Sequence, residues 1–306
     1  MSVAMLTAFV TLAGFGLTYV CIRGVVLLMA RSDHDGDGRL FARGVAPTGI
    51  AAALALFVVL PAFILFEPPH DGERVGLLVT LAAAFGAWHV GRVVARALRM
   101  LRVSRALTEE WASRSTPVSS SPWGLPAFVL DADFPIVAVA GLVRPRLYVD
   151  RRVLAACSTD EIDAIAAHER AHVVHRDNMR RLIIAACEGS SSIAATAWRQ
   201  AAEHAADARA ADSSRRALDL ASALLKLARL TPGPSLERAA VSTVHDGGSL
   251  ETRVRLLLDG RPAVAAPAPP SGPRMLAFGL AAATIVSVPG VLGSVHRLAE
   301  ALIRLP

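Results

Sequence analysis

Aromatic residues and lysine are both scarce in this chain of 306 residues. Aromatic side chains make up 5% of it, and Lys226 is its only lysine, so the net charge of +6 comes almost entirely from arginine. Proteins that bind single-stranded nucleic acid interleave aromatic with basic side chains, whereas these arginines are spread along the chain and gather at the ends of apolar runs. We therefore expect no direct binding of nucleic acid, and lipid headgroups and membrane topology explain the arginines better.

Cysteine is also rare, and its spacing excludes two common uses. Cys21, Cys157 and Cys187 are an odd number, at spacings that fit neither a zinc knuckle nor a disulfide framework. We expect them to be small core or lipid-facing residues. The amino terminus lacks the basic start and the small-residue cleavage site of a signal peptide, so the first apolar run is interpreted as an uncleaved span.

Apolar sequence, by contrast, is abundant. Hydrophobic residues make up 53% of the chain, and its mean hydropathy of +0.45 is high for a soluble enzyme. Four apolar runs are long enough to cross a bilayer at 1.5 Å per residue, namely residues 3–30, 46–66, 75–98 and 275–295. The sequence therefore predicts a multi-pass membrane protein with four transmembrane helices.

The basic residues of the short loops predict its orientation. Arginines cluster after the first span, at Arg31, Arg39 and Arg43, and from the end of the third apolar run onwards, at Arg92, Arg96, Arg99, Arg102 and Arg105. The loop between the second and third spans, residues 67–74, is short and mainly acidic. Because arginine-rich loops are retained in the cytoplasm, we expect the amino terminus outside and the long middle region inside.

The chain divides into three regions. We predict a membrane domain over residues 1–112, a soluble domain over 113–265, and a linker with the fourth span over 266–306. Short valine-rich stretches bounded by proline and glycine predict a small sheet in the soluble domain, at residues 127–132, 135–140 and 146–150. Helical stretches follow, so the inserted domain is expected to be α+β and mainly helical.

One stretch of that domain has the pattern of a zinc site. His168 and His172 stand four residues apart with Glu169 after the first, which is the HExxH motif. On a helix both imidazoles project from one face, and the glutamate lies about 100° round, where it can act on water without binding the ion. Ser158 and Glu161 form a capping box that predicts the helix start. The alternative is a solvated helix that happens to be rich in histidine.

A catalytic zinc site needs a third protein ligand and keeps one position open. Glu203 and Asp207 are again four residues apart, on a later helix. In zinc peptidases whose third ligand is a glutamate, a second helix supplies it in an ExxxD pattern, and the aspartate orients a ligand histidine. We predict that Glu203 binds one zinc ion and that Asp207 lies behind it. The alternative is a charged face on an alanine-rich helix.

These motifs together resemble a known family. The segments GLVRPRLYVD, AHERAHVVHRDN, EHAAD and SLETRVRLLLDG follow, in order, the pattern of the BlaR/MecR antirepressor membrane zinc metallopeptidases. They are similar, more distantly, to the CAAX prenyl endopeptidases and the HtpX-like quality-control proteases. The resemblance covers residues 125–260 and the flanking spans.

The resemblance implies a zincin-like domain of the gluzincin type in a bacterial cell membrane, facing the cytoplasm. The strand from Arg144 to Val149 would then lie beside the active-site helix and receive substrate backbone by strand addition. Arg253 matches an arginine near the site of the family, so the resemblance makes it a candidate stabiliser of the oxyanion; His245 is the other candidate.

The expected activity is that of a zinc metalloendopeptidase that cleaves a cytoplasmic protein. By resemblance the substrate is a winged-helix transcriptional repressor in a signalling or antibiotic-response pathway. The antirepressors carry a penicillin-binding sensor domain after their last span, whereas this sequence stops at Pro306, so we expect no such sensor. Two alternatives stay open: a quality-control or processing protease, and a signalling protein that binds metal without catalysis.

Overall fold

The computed structural model describes residues 3–29, 37–66, 75–119, 121–132, 135–230, 247–259 and 289–303. The chain forms two compact units. The first comprises Met1–Arg96, Ala186–Glu188 and Ala268–Pro306, and the second comprises Ala97–Ala185 and Gly189–Pro267. The predicted boundaries at 112/113 and 265/266 stay predictions.

Long apolar helices make up the first unit. They are α1 (Val3–Met29), α2 (Asp37–Leu54), a π-helical turn (Ala55–Val59), α3 (Leu60–Phe66), the first part of α4 (Leu77–Ser113), and a helix near the carboxyl terminus, Pro289–Ile303. Three candidate membrane spans lie at Ala4–Leu28, Asp37–Phe66 and Leu77–Ser113. They overlap the first three predicted spans and are consistent with a membrane protein. Most of the predicted fourth span lies outside the described residues.

The packing of α1 against α4 depends on two glycines. A Cβ atom added at Gly16 would lie 2.5 Å from the carbonyl oxygen of Ala82, and one added at Gly86 would collide with the carbonyl of Leu12. Because glycine has no Cβ, the two backbones approach as closely as helices in membranes do at small residues.

The second unit contains one four-stranded sheet. Its strands are β1 (Ser115–Pro117), β2 (Ala127–Leu130), β3 (Val137–Ala140) and β4 (Arg146–Asp150). The order is β1-β2-β4-β3; β2 is parallel to β4, and the other two pairs are antiparallel. The three predicted strands are confirmed, whereas β1 was not predicted from the sequence.

Six helices accompany this sheet in the described part of the second unit. They are α5 (Arg151–Ala156), α6 (Thr159–Val174), α7 (Asp177–Glu188), α8 (Ile193–Ala210), α9 (Ser214–Leu230) and α10 (Gly247–Leu258); the helix Pro289–Ile303 is accordingly α11. Helix α6 packs against α8, α9 and β3. The main core lies between these elements and includes Leu147, Val153, Ile165, Leu220 and Leu224. The HExxH helix is thus held from three sides.

Candidate metal centre

The start of α6 is fixed by its own sequence. The Ser158 hydroxyl accepts a hydrogen bond from the Glu161 backbone N–H (3.3 Å), and the Glu161 carboxylate accepts one from the Ser158 backbone N–H (2.7 Å). This is the predicted capping box. Since the first residue of the helix is fixed in this way, the direction in which His168 projects ten residues later is fixed as well.

The structure brings together the three predicted metal ligands. The Nε2 atoms of His168 and His172 lie 3.1 Å apart. From α8, the Glu203 carboxylate places Oε2 at 3.5 Å from the first and Oε1 at 3.6 Å from the second. All three ligand atoms lie within 4.8 Å of one another.

This geometry fits a zinc ion. Ligand atoms about 2.0–2.1 Å from a tetrahedral zinc lie about 3.3–3.4 Å from each other, close to the three observed separations. The buried Glu203 carboxylate has the Arg253 guanidinium 3.1 Å from Oε2, and among the described residues no hydrogen bond reaches Oε1. A buried carboxylate that is only partly compensated is stabilised further by a cation, so the donor set suits a metal.

Each ligand histidine has a carboxylate behind it. The Nδ1 atom of His168 lies 2.9 Å from Oδ1 of Asp207, the aspartate that the sequence predicts behind the metal site. The Nδ1 atom of His172 lies 2.8 Å from Oδ2 of Asp177. A carboxylate beside Nδ1 favours the tautomer in which Nε2 is available to a metal ion.

The contact of Asp177 was not predicted from the sequence. Asp177 opens α7, and Arg176 before it has a positive φ of 54° in the left-handed region. This left-handed residue breaks the helix after α6 and turns Asp177 back towards His172. The available signal was the spacing of five residues between His172 and Asp177, which places the aspartate beyond one helical turn.

Arg253 reaches the site from α10 and is 2% exposed. Its Nε and Nη2 atoms donate to the two oxygens of Asp207, both at 2.7 Å, and its Nη1 atom lies 3.1 Å from Oε2 of Glu203. These contacts favour a role in holding the two carboxylates, and the oxyanion role suggested by the resemblance stays a prediction. His245, the other candidate, lies outside the described residues.

The charges of the site are strongly coupled. Burial by itself lowers the pKa of His168, but the carboxylates of Asp207 and Glu203 outweigh burial and raise it to about 10. Burial acts in the opposite sense on those carboxylates, yet His168 and Arg253 lower the pKa of both. Both acids are therefore anionic at neutral pH, whereas His168 carries a proton that a metal ion bound at Nε2 would displace.

Glu169 lies between the ligands and the sheet. Its Oε2 atom accepts a hydrogen bond from the backbone N–H of Val139 in β3 (3.0 Å). The Asn178 side chain donates to the carbonyl of Val139 (3.1 Å) and to that of Gly141 (3.4 Å). The outer edge of β3 therefore faces Glu169, the predicted general base.

The strand expected to receive substrate is corrected by this topology. The family resemblance implied that role for the strand containing Arg144 to Val149, but β4 is hydrogen-bonded on one side to β2 and on the other to β3. An interior strand has no free edge, so it cannot add another strand. The outer strand of the described sheet beside α6 is β3.

A cavity of about 440 Å³ opens beside the ligands. Its lining includes His172, Arg176 and Asn178 from the α6–α7 turn, and Leu142 and Val143 from the turn between β3 and β4. The site is thus connected to a space in which a larger molecule can bind.

Residues 128–257 match the family model described as BlaR1 peptidase M56. The matched segment covers strands β2 to β4 and helices α5 to α10, apart from the first residue of β2 and the last of α10, and it leaves out β1. It supports the resemblance stated above, and with it a membrane peptidase of the BlaR1 type. No curated protein and no solved structure matches the chain.

Proposed function

We propose that this protein is a membrane zinc endopeptidase that cleaves a cytoplasmic protein. The observation that carries the proposal is the convergence of His168, His172 and Glu203 on one point, with Glu169 beside them at the outer edge of β3. Three protein ligands leave one coordination position for water or substrate, as catalytic zinc sites do, whereas structural sites are closed by four.

The three ligands would hold zinc, which when bound polarises the scissile carbonyl and lowers the pKa of water. Glu169 is the general base: it takes a proton from the attacking water and passes it to the leaving amine. Asp207 and Asp177 hold the two imidazoles in orientation. Arg253 balances the charge of the buried carboxylates.

The substrate is proposed to bind as an extended segment along β3. The outward N–H and carbonyl of Val139 are bonded to side chains, Glu169 and Asn178, which a peptide backbone can replace. Release of the Val139 N–H would also free the Glu169 carboxylate for water. By the resemblance, the substrate is a winged-helix transcriptional repressor.

The site is proposed to face the cytoplasm. The support is the arginine-rich segments after the first and third spans, which the sequence places on the same side as the soluble domain. A cytoplasmic repressor is accessible only in that orientation.

The test is co-expression of the chain with a candidate repressor, comparing wild type with Glu169→Gln. We expect the variant to bind zinc with wild-type stoichiometry and to lose about 10²-fold or more of the cleavage rate. Glu251→Gln, an exposed glutamate on α10, is the matched control and should cleave normally. Wild-type cleavage by Glu169→Gln would refute the mechanism.

The same experiment separates the alternatives. Cleavage of misfolded membrane proteins, with the repressor left intact, would favour a quality-control protease. A wild-type protein that binds one zinc but cleaves neither substrate would favour a metal-binding signalling protein.

A further inference from the structure

A second cavity, of about 490 Å³, lies on the side of α6 opposite to the metal ligands. Asp163, Ala167, Arg170 and Val174 line it, at the spacing of one helical face. Arg170 is two residues from both ligand histidines, which on a helix is a rotation of about 200°. The cavity is therefore separate from the metal centre.

Positively charged side chains from three helices surround this cavity. Arg170 comes from α6, Arg209 from the end of α8, and Arg216 from the first turn of α9. His175 and Trp123 also line the cavity. The acidic lining residue is Asp163, whose Oδ1 atom accepts a hydrogen bond from the Trp123 indole (2.8 Å). Arg216 donates to Asp212 (3.0 Å), an exposed residue outside the lining. The lining therefore has a surplus of positive charge.

Arg209 is the decisive member of this group. Both of its terminal nitrogens are buried, and neither has a hydrogen-bond partner in the described part of the chain. A buried guanidinium without an acceptor is unfavourable, since it has lost its water without gaining another bond. A fold that keeps such a group beside an open cavity is suited to an anionic ligand that supplies the acceptors.

We propose that this cavity binds the phosphate group of a small soluble molecule. A phosphate has three terminal oxygens and a charge of about −1.5 to −2, which suits arginines that approach from three helices better than the two oxygens of a carboxylate do. Arg209 would turn its guanidinium into the cavity and bind two phosphate oxygens as a fork, with Arg170 and Arg216 at the mouth. The Trp123 ring provides a wall for the rest of the ligand, and the volume suits a small molecule.

The test is a titration of the full chain in detergent with inorganic phosphate and pyrophosphate at constant ionic strength. Binding is measured by calorimetry and by the thermal unfolding midpoint. His168→Ala is included so that anion binding at the metal site is not counted. We expect saturable binding in wild type and in His168→Ala, with an affinity at least tenfold weaker in Arg209→Gln.

The matched control is Arg215→Gln. Arg215 is an exposed arginine next to Arg216 that pairs with Asp160 and does not line the cavity, so this variant should bind like wild type. If Arg209→Gln fails to fold, Arg170→Gln decides, since Arg170 is exposed and should weaken binding without loss of the fold. Equal affinity in wild type and both cavity variants, or a midpoint shift that chloride reproduces, would overturn the proposal.

Discussion

At the scale of single residues, the metal centre contains more buried charge than its ligands alone would bring. Glu203 and Asp207 are 3% and 4% exposed, and Arg253 contacts both. Removing one partner of such a group leaves charges buried without compensation, which is far more costly than breaking an ion pair in water.

Arg253→Met should therefore destabilise the protein by about 3–5 kcal/mol and weaken zinc binding. Arg255→Met is the control on the same helix; its pair with Glu251 is exposed, and its loss should cost about 0.5 kcal/mol or less. Thermal unfolding with and without zinc measures both variants. Similar midpoints for the two would show that Arg253 does not stabilise the site.

Arg176 holds an unfavourable backbone conformation for a residue with a side chain. The left-handed region costs about 1–2 kcal/mol for most L-residues and nothing comparable for glycine. Arg176→Gly should keep or raise the unfolding midpoint and keep zinc affinity, whereas Arg176→Val should lower both. Arg102→Gly, in the interior of α4, should cost about 1 kcal/mol. If Arg176→Gly lost as much stability as Arg102→Gly, the left-handed conformation of residue 176 would not be unfavourable for a residue with a side chain.

At the scale of elements, Glu161 joins the start of α6 to α9. Its carboxylate accepts hydrogen bonds from the Ser222 hydroxyl (2.6 Å) and the Lys226 ammonium (2.7 Å), besides its bond in the capping box. Burial raises the pKa of Glu161, but these bonds lower it to about 2. The anionic form is therefore the one that the fold stabilises.

A folded pKa below the ordinary value means that this stabilisation is complete above about pH 4.5 and is lost as the pH falls towards 2. Glu161→Gln should lower the unfolding midpoint at pH 7, and its difference from wild type should shrink between pH 4.5 and 2. Glu109→Gln, an exposed glutamate on α4, should match wild type throughout. A difference in unfolding midpoint between Glu161→Gln and wild type that did not change with pH would show that the Glu161 anion is not what stabilises the fold.

The α1–α4 contact in the membrane depends on the absence of a side chain. Gly86→Ala would push a methyl group into the backbone of α1, so it should lower the midpoint of the full chain in detergent. Gly91→Ala is the control in the same helix, where nothing lies within 4 Å of the added carbon. That change should be neutral or slightly stabilising because alanine is the better helix former. A lower unfolding midpoint for Gly91→Ala than for Gly86→Ala would rule out close packing at Gly86.

At the scale of the whole molecule, the proposed function requires the catalytic domain to be cytoplasmic. Val143, on the turn between β3 and β4, is 85% exposed and suits a labelling site. In a Cys21→Ser background, Val143→Cys should react with a membrane-impermeant maleimide only after the cells are opened. Asp71→Cys, in the loop predicted outside, should react in intact cells. Labelling of Val143→Cys in intact cells would show that the soluble domain lies outside the cell, opposite to the predicted topology.

Much of the site could be read from the chain because it depends on short spacings. HExxH places two imidazoles on one helical face, the capping box sets the start of that helix, and ExxxD repeats the same geometry on α8. Sequence spacing cannot predict which side chain from a distant element pairs with a buried charged group. The engagement of Arg253 with Asp207 and Glu203 depends on where α10 packs.

The sequence by itself determined the apolar runs, the strands β2, β3 and β4, the HExxH helix and the candidate metal ligands, since each depends on hydropathy or on strand or helix periodicity over a few residues. Only the tertiary structure decided that β3 lies at the sheet edge, that Asp177 turns back to His172, and that three arginines surround a second cavity. Strand order, a left-handed turn and the convergence of α6, α8 and α9 arise from contacts between distant segments, which no local pattern encodes.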